Sequence, residues 1–445
     1  MRMNKTYKII TYGCQMNEND SEKISGMLKE MGYTPTDDEK TAGVVVMNTC
    51  SVRENADERF FGNVGNFKHI KKKNPDLILA VCGCMMQQPA IVKQIKEKNP
   101  QVDIVFGTHN IEHFPQLLEE FIETRSRTIE IYDDDQGLVE NLPVDRKYPF
   151  KSYVSIMKGC NNFCTYCIVP YTRGREVSRP HEKIIEEITR LVEDGCLEVM
   201  LLGQNVNSYG NDRRDGYGFA DLLRDVNAIE GLRRIRFMTS HPKDMSDAVI
   251  EAIATCDKVC PSIHLAIQSG STRILKAMHR GYTKEQIIAL VEKIRNRIPH
   301  VAITTDIIVG FPGETEADFE ETLDVVRACR FDSAFSFIYS KRSGTPAAEM
   351  DDQIPDDVKH QRLNRLLDVL HEIGNDQNAW FQDQNVEVLV EGKSAHNPNK
   401  LSGRTLNGKL VNFTGDMATI GTIIPVHIDR AKTFSLDGTA IGSLN

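Results

Sequence analysis

The 445-residue chain has no run approaching the ~18 consecutive apolar residues that a membrane helix needs, and its opening MRMNKTYKII contains no apolar signal core. A soluble, cytoplasmic protein without a membrane partner is expected. Positive charge is also short. The formal net charge is −9, which argues against a broad basic footprint, since phosphate contacts need Lys and Arg. The shortage is uneven, because from Ala379 onward acids and bases balance and Lys393, Lys400, Arg404 and Lys409 fall close together. Compositional bias is absent as well: 40% hydrophobic and 26% charged residues are ordinary globular values. Cysteine is the exception. Eleven of them, an odd number without a secretory signal, suit metal or redox chemistry better than a disulfide framework.

The most telling absence is of a fourth thiol beside three. Gly159-Cys160-Asn161-Asn162-Phe163-Cys164-Thr165-Tyr166-Cys167 spells CxxxCxxC. Zinc sites usually complete one short-spaced cysteine pair with a second, distant pair, and none follows here at short range. Three soft ligands on one loop suit an iron–sulfur cluster that leaves one iron open to a small molecule. A zinc knuckle or a set of buried thiols is the plain alternative.

Length suggests about three domains of roughly 150 residues. Apolar runs at Tyr7–Tyr12, Val44–Met47, Leu77–Val81 and Val102–Phe106, separated by helical periodicity, predict a doubly wound parallel sheet. Cys14, Cys50 and Cys84 each end one of those strands, and carboxyl strand ends share one edge of such a sheet. The three thiols are therefore expected to converge. Cys82 competes with Cys84, being two residues away on the same face. Cys84 is preferred because Gly83-Cys84 lies past the strand.

Interrupted periodicity around Asp133–Asp135, Pro143 and Pro149 places a linker near Asn141–Arg146. Beyond it, strands are predicted at Tyr153–Lys158, Leu197–Leu202, Arg234–Met238, Ser262–Ile267, Val301–Val309 and Ser333–Tyr339, with a helix after Ser178 that this residue caps, Pro180 opens and Gly195 stops. A full or partial α/β barrel closes such a pattern, and its active face is the carboxyl-end rim. Gly203-Gln204, Thr239-Ser240-His241-Pro242, Gln268-Ser269-Gly270 and Gly310-Phe311-Pro312-Gly313 lie on that rim. Each alone reads as a turn. Together with Tyr166 they suggest a polar pocket for a nucleotide-like ligand, with Gly203, Gln204, Gln268 and Gly310 as contacts.

CxxxCxxC after the first barrel strand resembles the radical S-adenosylmethionine superfamily. Tyr12-Gly13-Cys14-Gln15-Met16-Asn17, Asn48-Thr49-Cys50-Ser51-Val52-Arg53 and Cys82-Gly83-Cys84-Met85-Met86-Gln87 resemble the methylthiotransferases within it. The run Lys158-Gly159-Cys160 through Thr172-Arg173-Gly174-Arg175 is similar to their MiaB-type branch. Met86 departs from the small residue expected there. The resemblance covers the chain, and its tail, with glycine-spaced short strands, resembles the RNA-binding, OB-like TRAM domain.

The resemblance implies an N-terminal methylthiotransferase domain over 1–145, a radical SAM core with a (β/α)6-type partial barrel over 146–378, and a small C-terminal β-barrel over 379–445. It implies a 4Fe-4S cluster on Cys160, Cys164 and Cys167 that binds S-adenosylmethionine, and an auxiliary 4Fe-4S cluster on Cys14, Cys50 and Cys84. The implied reaction inserts sulfur and methyl at C2 of an isopentenylated adenosine beside the tRNA anticodon, using one S-adenosylmethionine as radical source and another as methyl donor. An electron-donor protein, tRNA as partner and a monomeric state follow. Arg53, Arg173, Arg175, Lys393, Lys400, Arg404 and Lys409 are candidate tRNA contacts. Related chemistry on threonylcarbamoyl-adenosine tRNA or a ribosomal-protein aspartate, and a noncatalytic iron–sulfur RNA-binding protein, are the alternatives.

Overall fold

The computed structural model describes residues 4–51, 54–132 and 139–442, with side chains from 59 onward in the segment that begins at 54. The first unit is a six-stranded, all-parallel sheet: β1 (Thr6–Thr11), β2 (Thr34–Pro35), β3 (Val44–Thr49), β4 (Ile78–Gly83), β5 (Ile104–Phe106) and β6 (Thr128–Glu130) in the order β2-β1-β3-β4-β5-β6. Helices cover both faces because β3 is apolar on both. Val44 and Val46 pack with Ile24, Leu28 and Phe114, while Val45 and Met47 pack with Phe60, Phe67 and Ile95. Burying each such valine contributes about 1.5–3 kcal/mol. Met86 is fully buried in the second of these clusters, so the larger side chain is accommodated. The edge strands β2 and β6 are too short and polar to show in the apolar pattern.

The segment Asn141–Arg146 is a strap tied to the first unit. Asp145 accepts from Ser25 Oγ and Lys29 Nζ, each at 2.7 Å, and a Cβ on Gly26 would stand 2.4 Å from the Pro143 carbonyl oxygen.

The second unit begins with β7 (Lys151–Ser155). The predicted strand through Lys158 instead breaks at Ile156, and β8 (Met157–Lys158) turns off to pair antiparallel with β9 (Val177–Ser178). Ser178 therefore caps no helix: its hydroxyl donates to Asp212 at 2.6 Å, and Pro180 sits at the N-cap of the helix His181–Glu193. β10 (Glu198–Leu202), β11 (Arg234–Phe237), β12 (Ser262–His264), β13 (Ala302–Val309) and β14 (Ser333–Ile338) continue the alternation. They form two parallel three-stranded sheets, β7-β10-β11 and β12-β13-β14, joined by bridges at Ile235–Val259 and Ser240–Leu265. The result is a six-stranded partial barrel with helices outside and an opening between β7 and β14. The helix Gln15–Glu30 approaches that opening, where the Tyr153 hydroxyl donates to Glu18 at 2.5 Å and Asn19 Nδ2 lies 3.5 Å from the Tyr153 carbonyl oxygen.

The long helix Asp356–Ala379 leads to a closed five-stranded barrel, β15 (Asn385–Lys393), β16 (Leu401–Thr405), β17 (Leu410–Thr414), β18 (Ile423–Ala431) and β19 (Leu436–Ala440), in the order β15-β16-β17-β19-β18. That is the connectivity of an OB-like barrel. It docks beneath the larger barrel, against the amino ends of its strands. Arg234 donates to the carbonyls of Arg404 and Glu387, Arg236 to those of Thr405 and Leu406, and Lys151 pairs with Glu391 at 2.6 Å. The carboxyl-end rim is left clear. Among the described residues no helix is long and apolar enough to cross a membrane.

Candidate active site: two thiol triads facing one rim

In the sheet order β2-β1-β3, chain direction across the sheet reverses between β1 and β3, the crevice where open parallel sheets bind ligands. Cys14 follows β1 and Cys50 follows β3. Gly13 has φ +116°, and a Cβ there would lie 2.6 Å from Cys50 Sγ, so only glycine lets the two thiols approach. A hydrogen bond from Cys50 pulls the Cys14 thiol down to about 6 against the cost of burial, with Arg173 assisting. Asn17 braces the crevice, accepting from Cys14 Sγ at 3.3 Å and donating to the Thr49 carbonyl at 2.8 Å.

Of the two competing thiols, Cys82 is sealed among Tyr7, Leu28 and Phe106, and burial pushes it well up. Cys84 lies beyond the strand, where Arg173 Nε donates to its Sγ at 3.1 Å. Burial also raises Cys84, and the guanidinium opposes that rise.

The second triad sits on the loop after β8. Gly159, at φ +71°, has no room for a side chain, because a Cβ would stand 1.9 Å from the Arg175 carbonyl oxygen. Thr165 anchors the loop by donating to the carbonyls of Met278 and Ala277 and accepting from the backbone of Ala347. Arg280, 5% exposed, donates to Cys164 Sγ at 3.2 Å, to the Tyr282 hydroxyl at 2.8 Å and to the Ala266 carbonyl at 2.5 Å. Burial, with Cys164 beside it, pushes Cys167 up to about 12, and burial raises Cys160.

Each triad is thus three buried or half-buried thiols with a buried arginine against one of them. That donor set fits an anionic iron–sulfur cluster, whose thiolates need positive charge and exclusion of water. Among the described residues no His, Cys, Asp or Glu group converges tightly enough for a single metal ion.

On the rim, Gly203 abuts Met157, and the buried Oε1 of Gln204 has no partner among the described residues; neither do Ser240 Oγ and His241 Nε2 on the adjacent strand end. Burial, with Arg280 and Lys243 adding to it, pushes His241 down to about 2, so the ring is neutral. Its Nδ1 accepts from the Lys243 amide at 3.2 Å. The proton therefore sits on Nε2, an unspent donor. Thr239 and Gln268 both hold φ +70° at strand ends, stored strain of the kind found at sites. Gln268 bridges β12 to β13, its amide donating to the Asp306 carbonyl at 2.8 Å. Gly310 belongs to the scaffold: its amide donates to Glu314 at 2.8 Å and Lys359 crowds its Cα. Tyr166 packs beside Phe311, Tyr339 and Met278.

Glu176 went unnoticed in the sequence although it directly follows Arg175. It accepts from Ser208 at 2.8 Å, and desolvation, with Asp212 and Asp244 nearby, raises it to about 7.

The expected RNA contacts separate. Arg53 lies outside the described residues. Arg173 is 8% exposed and also pairs with Asp20 at 2.9 Å, so its charge is spent inside the protein and no phosphate reaches it. Lys409 is likewise committed, bonded to Asp332 at 2.7 Å in the joint between the two barrels. Arg175 is exposed with its guanidinium 4.3 Å from the Phe163 ring centroid; Lys393 and Arg404 are exposed and Lys400 is half-buried.

This architecture, a CxxxCxxC loop on the rim of a (β/α)6 partial barrel between a thiol-bearing α/β domain and an OB-like barrel, defines a radical S-adenosylmethionine enzyme with an RNA-binding appendage. Residues 154–326 match the Radical SAM superfamily, 6–107 the uncharacterized protein family UPF0004 and 380–441 the TRAM domain. The tRNA-2-methylthio-N(6)-dimethylallyladenosine synthase of Alkaliphilus oremlandii is 57% identical over 98% of this chain and 93% of its own length. That of Clostridium botulinum is 56% identical over 97% and 96%. The chain belongs to the tRNA-2-methylthio-N(6)-dimethylallyladenosine synthase family. Among solved structures, the radical S-adenosylmethionine methyltransferase TsrM from Kitasatospora setae superposes with a TM-score of 0.56 over 77% of this chain and 75% of that one; at 15% identity this shows shared fold alone.

Proposed function

We propose that the chain methylthiolates C2 of N6-isopentenyladenosine beside the anticodon of tRNA, one S-adenosylmethionine giving the methyl group and another the radical. The observation that carries this reading is Arg173. It follows the CxxxCxxC loop by six residues yet hydrogen-bonds Cys84 of the other domain, which supports the two triads acting on one substrate.

Cys160, Cys164 and Cys167 would hold the cluster that binds S-adenosylmethionine, and Cys14, Cys50 and Cys84 the auxiliary cluster. When bound, these groups supply one-electron cleavage of a sulfonium and a place to carry sulfur. The chain's own residues set the conditions. Arg280 and Arg173 hold fixed positive charge against one thiol of each triad, which lowers the cost of burying thiolate. His241 Nε2–H and the Gln204 amide offer unspent polar atoms to orient a ligand on the rim. Gly203 leaves space beside Met157, and Gln268 fixes the rim's turn. Tyr166 walls the cysteine loop and helps exclude water.

The division of labour follows the units: 1–145 carries the auxiliary site, 146–378 the radical chemistry and 379–445 RNA binding. Arg175, Lys393, Lys400 and Arg404 contact the anticodon stem-loop, whose target base must leave its stack to reach enclosed thiols. The enzyme acts as a cytoplasmic monomer served by an electron-donor protein.

Nucleoside mass spectrometry tests the reading after anaerobic incubation of cluster-reconstituted protein with isopentenyladenosine tRNA, S-adenosylmethionine and a strong reductant. A 2-methylthio product is expected. Unchanged tRNA accompanied by 5′-deoxyadenosine would move the substrate elsewhere.

A further inference from the structure

The lumen of the partial barrel carries a surface that the chemistry above leaves unused. Along β14, Ala334 and Ile338 pack into the core with Leu366 and Leu370 of the helix Asp356–Ala379. Phe335 and Phe337 therefore project from the opposite, lumenal face, where they remain 47% and 40% exposed. Neighbouring aromatics left this bare on one face mark a binding surface more often than chance.

Register extends the patch. Asp306 stands beside Phe335, and Ile308 beside Phe337. His264 on β12 completes it, its ring 5.9 Å from Phe335 and its Nε2 3.2 Å from Asp306 Oδ2. Below, the Arg236–Glu198 pair at 2.8 Å and the backbone of Thr405 and Leu406 close the lumen. Above, Ile308 packs in the same cluster as Tyr166 of the cysteine loop. An apolar, aromatic surface thus runs from the lumen to the loop that carries Cys160, Cys164 and Cys167, with one polar pair at its edge.

The occupant has to be flat, largely apolar and uncharged, and it has to reach the thiols. We propose that Phe335, Phe337 and Ile308 seat the branched five-carbon substituent on adenine N6, while the His264–Asp306 pair holds a polar edge of the base. These residues then determine the preference for prenylated over unmodified adenosine. The inference rests on the tRNA reading above. Its chemistry is simple: a hydrophobic seat discriminates by about 10–200-fold for each methylene it gains or loses, whereas a phosphate-reading surface does not distinguish the two RNAs. Trp380, also exposed, serves this poorly, since it stacks on His300 at the joint beneath the barrel, away from the rim.

Affinities of the reconstituted holoenzyme for anticodon stem-loop RNA with and without the isopentenyl group test the proposal. The wild type should prefer the prenylated RNA at least about tenfold, and in Phe335→Ser/Phe337→Ser the two affinities should converge. A retained preference in that variant overturns the inference. A wild type that leaves the prenylated RNA unmodified overturns the substrate reading instead. Should the variant not fold, wild-type protein is irradiated with RNA carrying a photoreactive diazirine on the N6 substituent. Label on the 333–338 segment supports the seat, and label confined to other segments contradicts it.

Discussion

The two thiol triads are assembled by opposite routes. Cys160, Cys164 and Cys167 occupy one loop, and their spacing alone makes a site. Cys14, Cys50 and Cys84 lie on three separate strand ends and become a site only once the sheet has formed. The sheet-edge triad holds a thiol lowered to about 6, the loop triad one raised to about 12. Yet each has one buried arginine at 3.1–3.2 Å from a single sulfur. Thiol sets of the first kind are a property of local sequence, and those of the second a property of topology.

The largest expected effect separates the triads outright. Cys50→Ala should abolish methylthio product while 5′-deoxyadenosine formation survives, measured by mass spectrometry of nucleosides from one reaction. Loss of both would mean that the sheet edge is needed for folding of the whole chain.

Arg173→Ala comes next. It strips Asp20 of its partner in a site where both side chains are under 10% exposed, and breaking such a buried pair costs about 3–5 kcal/mol. Denaturant unfolding should show that loss. Arg173→Lys, which keeps the charge without the two-pronged geometry, should recover part of it.

Arg280→Lys sharpens the comparison from the other side. Loss of hydrogen bonds to a charged partner, at about 1.5–3 kcal/mol each, should slow S-adenosylmethionine cleavage roughly 10–100-fold. Iron bound at the sheet edge should stay unchanged. A matching loss of that iron would show the two sites to be one cooperative unit.

The smallest effects distinguish surface bases from structural ones. Lys393→Ala should lower the salt dependence of RNA binding by about one unit of slope and leave stability alone. Lys409→Ala should do the reverse, because its ammonium is already spent on Asp332.

What was legible in the sequence follows the same divide. Alternating apolar runs revealed the parallel strands and the partial barrel, since doubly buried strands must be apolar throughout. The strand–cysteine–helix pattern placed Cys14, Cys50 and Cys84 at one edge, and the glycines before Cys14, Cys84 and Cys160 all hold positive φ. Arg173 and Lys409 looked like surface bases because nothing local distinguishes an arginine facing solvent from one that crosses to another domain. Arg280, 116 residues from the sulfur it touches, was invisible for that reason. Ser178 resembled a cap because residues around Pro180 carry cap chemistry, but Asp212, 34 residues away, claims its hydroxyl. Phe335 and Phe337 read as ordinary strand residues until the opposite face of β14 was seen to be the packed one.

Iron and acid-labile sulfide per chain, measured after anaerobic reconstitution, test the central claim of two separate three-thiol sites most directly. Replacing Cys14, Cys50 and Cys84 together by Ala should leave about half the wild-type iron, replacing Cys160, Cys164 and Cys167 the other half, and replacing all six none. Full iron retained after either triple replacement would contradict the account.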